Sequence, residues 1–275
     1  MIRQRKSTSA VAALAALVSL AIALFPLYAV VIASLESTSQ LFGSHYNFYP
    51  PSPTLSNYRE VISAQAPHLG SSLIIATGTA ALTLAISLPA AYVLARYRFR
   101  VTVVIIGSLL IAQILPSIVI ANSLFIIFLK IHLLNSYIGV ILADASYAVP
   151  FGILVLRAFM LGLPGEVLEA ARVDGAGEWR ALLHIVLPMS RSAIITVALF
   201  SFLNGWGDFI FALTLLSGTE IAPTTLSLYD YIGQFSGNWG AVMAVSVFAI
   251  APAAIMLIAA QRYISAGLTA GSVKG

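Results

Sequence analysis

The chain has 275 residues, 60% of them hydrophobic and 9% charged, with a mean hydropathy of +0.97 and a formal net charge of +4. Soluble domains carry roughly a quarter of their residues as charges, so this composition excludes one and points to an integral membrane protein. The absence of cysteine removes disulfides, thiol chemistry and thiolate metal sites, and the four histidines (His45, His68, His132, His184) lack ligand spacing, so no metal centre is expected.

The N-terminal Arg3, Arg5 and Lys6 lead into an apolar run over about residues 10–35. A cleavable signal peptide has an apolar region of about 7–15 residues. The longer run here predicts an uncleaved first span with its N-terminus inside, kinked at Pro26. Residues 36–67, rich in Pro, Ser, Asn and Tyr, are expected to form an outer loop that includes the phrase TLSNYREV at 54–61. The second span, about 69–94, ends in AYVLARYRFR. There Arg96, Arg98 and Arg100 cluster at a membrane face, with Tyr92 and Tyr97 at the interface.

The third span, about 101–129, contains Gln113, Pro116, Ser117, Asn122 and Ser123. Such a set can line a pathway or make helix-to-helix hydrogen bonds; Asn122, in the outer half, is the pathway candidate. The fourth span, about 137–160, holds Asp144, Ser146, Tyr147 and Pro150, with Arg157 near its inner end. At ~1.5 Å per residue, Asp144 lies roughly 10 Å from the outer end. A carboxylate at that depth needs a watery cavity or a partner, and a pathway site and a structural anchor weigh equally.

Residues 163–188 read LPGEVLEAARVDGAGEWRALLHIVLP and hold Glu166, Glu169, Arg172, Asp174, Glu178 and Arg180, charges too costly for hydrocarbon. The stretch therefore sits in water as a bent helical hairpin. Pro164 suits the first helical position, Glu166 and Glu169 the early turns, and Gly175 or Gly177 the end of the first helix. A second short helix follows over about 178–186, and Val167, Leu168, Ala171, Leu182, Leu183, Ile185 and Val186 form the apolar side.

Glu169-Ala170-Ala171, Asp174-Gly175-Ala176 and Leu187-Pro188 together resemble the EAA loop of bacterial ABC importer permeases. AYVLARYRFR, TLSNYREV and the C-terminal QRYISAGLTAGSVKG are similar to the carbohydrate branch of that family, the maltose and glycerol-phosphate type. The resemblance implies a multi-pass permease of the bacterial inner membrane whose loop is a coupling helix docking on a separate ATPase subunit. Glu166, Glu169, Ala170, Ala171, Asp174, Gly175 and Ala176 would then make that contact. The small residues permit close approach, and Glu169 can accept hydrogen bonds. Ser192 departs from the pattern, since the family often has a proline a few residues after Leu-Pro.

The fifth span, about 189–216, contains Asn204-Gly205-Trp206-Gly207-Asp208-Phe209. Two glycines around a tryptophan predict a loosened or kinked helix. In the family, residues of such a stretch lie near the sugar pathway, which makes Asn204, Trp206 and Asp208 candidates beside Asn122, Asp144 and Tyr147. Asp208 is expected at a depth near that of Asp144, so the two acids can serve one cavity, or Asp208 can stabilise the bend. Residues 217–238, with several glycines and Pro223, are expected to form an outer loop. A last span over about 239–260 leads to a flexible cationic cytoplasmic tail, about 261–275.

The expected architecture is thus all-α, one membrane domain over 1–275, with six transmembrane helices, both termini cytoplasmic, and the hairpin between helices 4 and 5. This arrangement puts Arg3, Arg5, Lys6, Arg96, Arg98, Arg100, Arg157, Arg172, Arg180, Arg191, Arg262 and Lys274 inside and only Arg59 and Lys130 outside, as the positive-inside rule asks. Basic residues sorted by side in this way give no reason to expect nucleic acid. No GxxxxGK[ST] phosphate loop occurs, so the chain is not expected to hydrolyse ATP.

The resemblance further implies a second, homologous permease chain, two ATPase subunits carrying ATP and Mg, and an extracytoplasmic solute-binding protein or lipoprotein, with a sugar as the solute. An amino sugar or a glycerophosphodiester is the substrate alternative. Two other classes compete. Gly205-Trp206-Gly207-Asp208 satisfies the G-x-G-D pattern of intramembrane aspartyl proteases, but Tyr229-Asp230 follows it in the wrong order. An ion-coupled secondary transporter could use Asp144 or Asp208, but leaves the EAA loop unexplained.

Overall fold

The computed structural model describes residues 4–43, 48–97, 100–217, 221–234 and 237–270, and every regular element among them is helical. In chain order these are α1 (Gln4–Ser34), α2 (Thr38–Leu41), α3 (Ser56–Arg96), α4 (Thr102–Ile114), α5 (Ser117–Lys130), α6 (Tyr137–Leu161), α7 (Gly165–Val173) and α8 (Glu178–Ala181). A π-helical turn (Leu182–Val186) and α9 (Leu187–Met189) lead into α10 (Arg191–Gly207), followed by α11 (Ile210–Leu215), α12 (Thr224–Gln234) and α13 (Trp239–Ala270).

Among the described residues, four helices are long and apolar enough to cross a membrane, within Val11–Ser34, Val61–Arg96, Tyr137–Leu161 and Trp239–Gln261. Two bent pairs pass the same test. Thr102–Ile114 with Ser117–Lys130 turns by 99°, and Glu178–Met189 with Arg191–Gly207 turns by 82°. The third span expected over about 101–129 is therefore broken, and the cause is local. Leu115 is extended (φ −66°, ψ 129°) because Pro116 disfavours the helical region in the residue before it.

Three further expectations change. The outer loop expected over 36–67 contains α2 and the first turns of α3, which continues past Pro67. The loop expected over 217–238 contains α12. The last helix runs on to Ala270 where a flexible tail was expected, while Arg3, His45, Arg98 and 271–275, including Lys274, lie outside the described residues.

The chain divides into two compact units. In the first, Met1–Ala66 with Leu228–Ala251, the core is Val61, Tyr231, Ala241, Val242, Ala244 and Val245. The Asn57 amide donates to the carbonyls of Ser34 (2.9 Å) and Glu36 (3.0 Å), tying the end of α1 to the start of α3. Residues 11–27 of α1 are exposed throughout, which suits a helix solvated by lipid tails.

The second unit, Pro67–Ser227 with Pro252–Gly275, is built on a seam where α3, α6 and α10 touch through small residues. A Cβ at Gly152 would stand 2.7 Å from Ser87 Oγ and 3.1 Å from Val197 Cγ1; one at Gly205 would stand 3.0 Å from Thr79 Oγ1 and 3.2 Å from Ala76 Cα. The two layers are eight residues apart on each helix, so the packing steps by two turns in phase. One turn below the Gly152 layer, Ala91, Leu156 and Ala193 continue the seam in a shared buried cluster. Gly205 is thus a point of close approach, and the break expected from the Gly-Trp-Gly phrase falls just after it, where α10 ends at Gly207.

Candidate functional site

The hairpin begins where α6 ends at Leu161. Its first helix, α7, makes about two and a half turns with one apolar face, and Leu163 and Leu168 pack on the cluster of Tyr92, Leu156, Met160, Leu182 and Val186. Ala171 is buried, whereas Glu166, Glu169, Ala170 and Asp174 are exposed and Ala176 is half-buried. The chain leaves α7 through a left-handed Gly175 (φ +78°). Two bonds close the end: Gly175 N–H donates to Arg172 O (3.0 Å) and Ala176 N–H to Ala171 O (2.9 Å). This is a Schellman ending, and it explains why Asp174-Gly175-Ala176 stands there. Gly177, extended, then starts α8.

The turn is latched by side chains. Arg172 Nη2 donates to Glu178 Oε1 at 2.5 Å, and the Tyr92 hydroxyl donates to Glu178 Oε2 at 2.6 Å. The Tyr92 hydroxyl and the Arg172 guanidinium hold the Glu178 carboxyl below its ordinary range. Sequence reasoning treated Tyr92 as an interface residue and missed this three-residue latch, since nothing in residues 86 apart signals a contact. Beneath α7 lies a cavity of about 130 Å³ lined by Tyr92, Ala95, Arg96, Met160, Leu161, Leu163, Gly165, Leu168 and Val186. On the outer side of the hairpin, Val173 is 88% and Trp179 69% exposed, an apolar pair beside the exposed acids.

The pathway candidates separate into two groups. Asn122 on α5 is exposed, and Tyr147 on α6 and Asn204 on α10 are half-buried. The Tyr147 carbonyl accepts from Gln113 Nε2 at 3.0 Å, which joins α4 to α6. Trp206 is buried and stacked on Phe202, ring centroids 5.8 Å apart, in a cluster with Ala76. Asp208 interrupts the helix: it is extended (φ −63°, ψ 134°), and its carboxylate accepts from Phe211 N–H (3.1 Å) and Ala212 N–H (2.8 Å). It caps α11, the bend-stabilising role weighed from the sequence. Asp144 is fully buried on the seam, with the Thr79 hydroxyl beside it and Asp208 close enough to repel it.

Residues 84–270 match the model of the family described as the binding-protein-dependent transport system inner membrane component. The chain is 31% identical over 264 residues to the sulfoquinovosyl glycerol transport system permease protein SmoH of Agrobacterium fabrum, covering 95% of this chain and 93% of that one. It is 32% identical over 261 residues to the trehalose/maltose transport system permease protein MalG of Thermococcus litoralis, covering 92% of each. Its fold is similar to a chain of a bacterial ABC transporter involved in the import of the acidic polysaccharide alginate. The TM-score is 0.79 at 20% identity, over 96% of this chain and 98% of that one.

Proposed function

The chain belongs to the family of binding-protein-dependent transport system inner membrane components, and on that premise we propose that it is the permease subunit through which an ATP-driven importer moves a sugar. The substrate class is supported by relatives named for sulfoquinovosyl glycerol and for trehalose and maltose. Its working assembly contains a second, homologous permease, two ATPase subunits that hold ATP and Mg, and an extracytoplasmic solute-binding protein. The whole of 1–275 acts as one membrane domain. α4 with α5 counts as one span and α10 with α11 as another, which makes six; both termini are cytoplasmic, and the hairpin over 163–188 lies between the fourth and fifth spans on the cytoplasmic face.

The observation that carries the coupling role is the hairpin's geometry. A short helix closed by Gly175 presents Glu166, Glu169 and Ala170 beside the apolar Val173 and Trp179. Ala171 and Ala176 hold the helix close to its root, and the Tyr92–Glu178–Arg172 latch fixes its angle to α3. An ATPase that closes on nucleotide and binds this hairpin differently in its two states shifts the permease between outward and inward forms by that difference in free energy. Asn122, Tyr147 and Asn204 are proposed to meet the sugar, whereas Asp144, Trp206 and Asp208 reach it only where the packing around them opens.

Purification of the chain with its native partners in mild detergent, followed by mass spectrometry and ATPase assay, tests this reading. Recovery of a second permease and a phosphate-loop ATPase supports it, together with uptake lost in the Glu169→Lys, Gly175→Val double variant while assembly persists. Uptake unaffected by that variant removes the coupling role. The protease alternative is set aside by the family match over residues 84–270, and Asp208 has a structural task of its own in accepting two helix N–H groups.

A further inference from the structure

We propose that Asp144, with the hydroxyls of Thr79, Thr83 and Ser201, forms a buried site for one small cation, an alkali-metal ion or a proton, enclosed by α3, α6 and α10. The four residues are each 0% exposed. Thr79, Asp144 and Gly205 lie in one layer of the seam, shown by the Thr79 hydroxyl beside the carboxylate and the close approach of Thr79 to Gly205. One helical turn on in the same register stand Thr83, Ala148 and Ser201, each fully buried.

None of these oxygens is satisfied. Among the described residues, neither carboxylate oxygen of Asp144 and none of the hydroxyls of Thr79, Thr83 and Ser201 has a hydrogen-bond partner in good geometry. Hydroxyls on apolar helices ordinarily donate to the carbonyl one turn back, as Ser108, Ser123, Thr196, Thr214 and Ser246 do in this chain. The seam hydroxyls forgo that bond. Five oxygen donors with no nitrogen or sulfur among them suit a hard cation.

Among the described residues, no basic side chain is placed to supply the compensating charge; Arg59, near the start of α3, lies about five helical turns from Thr79. On α3, His68 is bonded to the Ala222 carbonyl, and Arg96 is at the far end. On α6, Arg157 donates to the Leu94 carbonyl. On α10 the one basic residue is Arg191, at its start, and on α5 it is Lys130, at its end; α4 and α11 carry no ionisable residue. The ionisable group that does approach is Asp208, a second negative charge whose oxygens already accept two N–H groups. A carboxylate buried without a counter-charge is among the costliest arrangements in a protein.

The test uses the full chain with its co-purifying partners in detergent. Thermal unfolding is followed in sodium chloride against choline chloride at constant ionic strength, and separately against pH without sodium. A midpoint that rises with sodium identifies an alkali-metal ion, and one that rises only with acidity identifies a proton; in either case Asp144→Asn is expected to abolish the response. Thr79→Val with Ser201→Ala, which keeps the carboxylate, is expected to raise the half-saturating cation concentration by about tenfold. Equal responses in the wild type and Asp144→Asn overturn the proposal. If Asp144→Asn does not fold, an unchanged half-saturation in the Thr79/Ser201 variant overturns it instead. Sugar uptake is read by neither arm, so failure here leaves the transport reading standing.

Discussion

Gly175 and Gly205 fail for opposite reasons when a methyl group is added. At Gly175 nothing lies within 4 Å of an added Cβ, but φ is +78°, so Gly175→Ala meets only backbone strain, about 1 kcal/mol. Gly175→Asn is expected to be milder, because asparagine tolerates the left-handed region. At Gly205 the backbone is helical and the obstacle is Ala76 Cα at 3.2 Å, a main-chain atom that cannot swing away. Gly205→Ala is therefore expected to lower stability by about 1–3 kcal/mol, and thermal unfolding of the two variants separates the mechanisms. Glu178 adds a pH signature. Its folded carboxyl is depressed by Tyr92 and Arg172, so its contribution is full above the ordinary glutamate range and is lost as pH falls through the lowered value. Hydrogen exchange of the α7 amides is expected to be faster in Glu178→Gln than in the wild type at neutral pH, with the difference vanishing in acid.

At the scale of elements, the breaks in α4–α5 and α10–α11 have different chemistry. The first is steric, set by Pro116 on Leu115; the second is held by a cap. Asp208→Ala removes the acceptor for two N–H groups and is expected to cost about 1–2 kcal/mol, with Asp208→Asn intermediate. Denaturant or thermal unfolding of the pair checks this. These cases also mark what was legible from sequence. Asp174-Gly175-Ala176 could be read as a helix ending because the glycine requirement is local, and the hairpin followed. Pro116 was visible, but its direction of action was not: a proline in a long apolar run reads as a kink, whereas here it divides the run. α12 was hidden because Pro223 stands just before it and Gly233 in its last turn, and the two gave a loop signal. The latch and the Thr79–Asp144–Gly205 layer depend on contacts between helices distant in sequence, which no local pattern encodes.

For the whole molecule, composition alone pointed to a membrane, and the asymmetric distribution of arginine is the basis of the sidedness proposed above. The native absence of cysteine makes the sidedness directly measurable. Single cysteines at Val173 and at Tyr49, both exposed, are expected to react with an impermeant thiol reagent from opposite faces: Val173→Cys only in inverted vesicles and Tyr49→Cys only in intact cells with a permeabilised outer layer. Labelling of both from the same face would overturn the six-span arrangement. The seam has one mechanical consequence. Glycine, alanine, serine and threonine have few rotamers to exchange, so where α3, α6 and α10 touch, the contact cannot yield by side-chain rearrangement. These three helices then act as a stiff strut. The compliance lies at its foot, in the unfilled space under α7, so under the coupling role proposed above a torque delivered to the hairpin is first taken up there and only afterwards turns the strut as a whole.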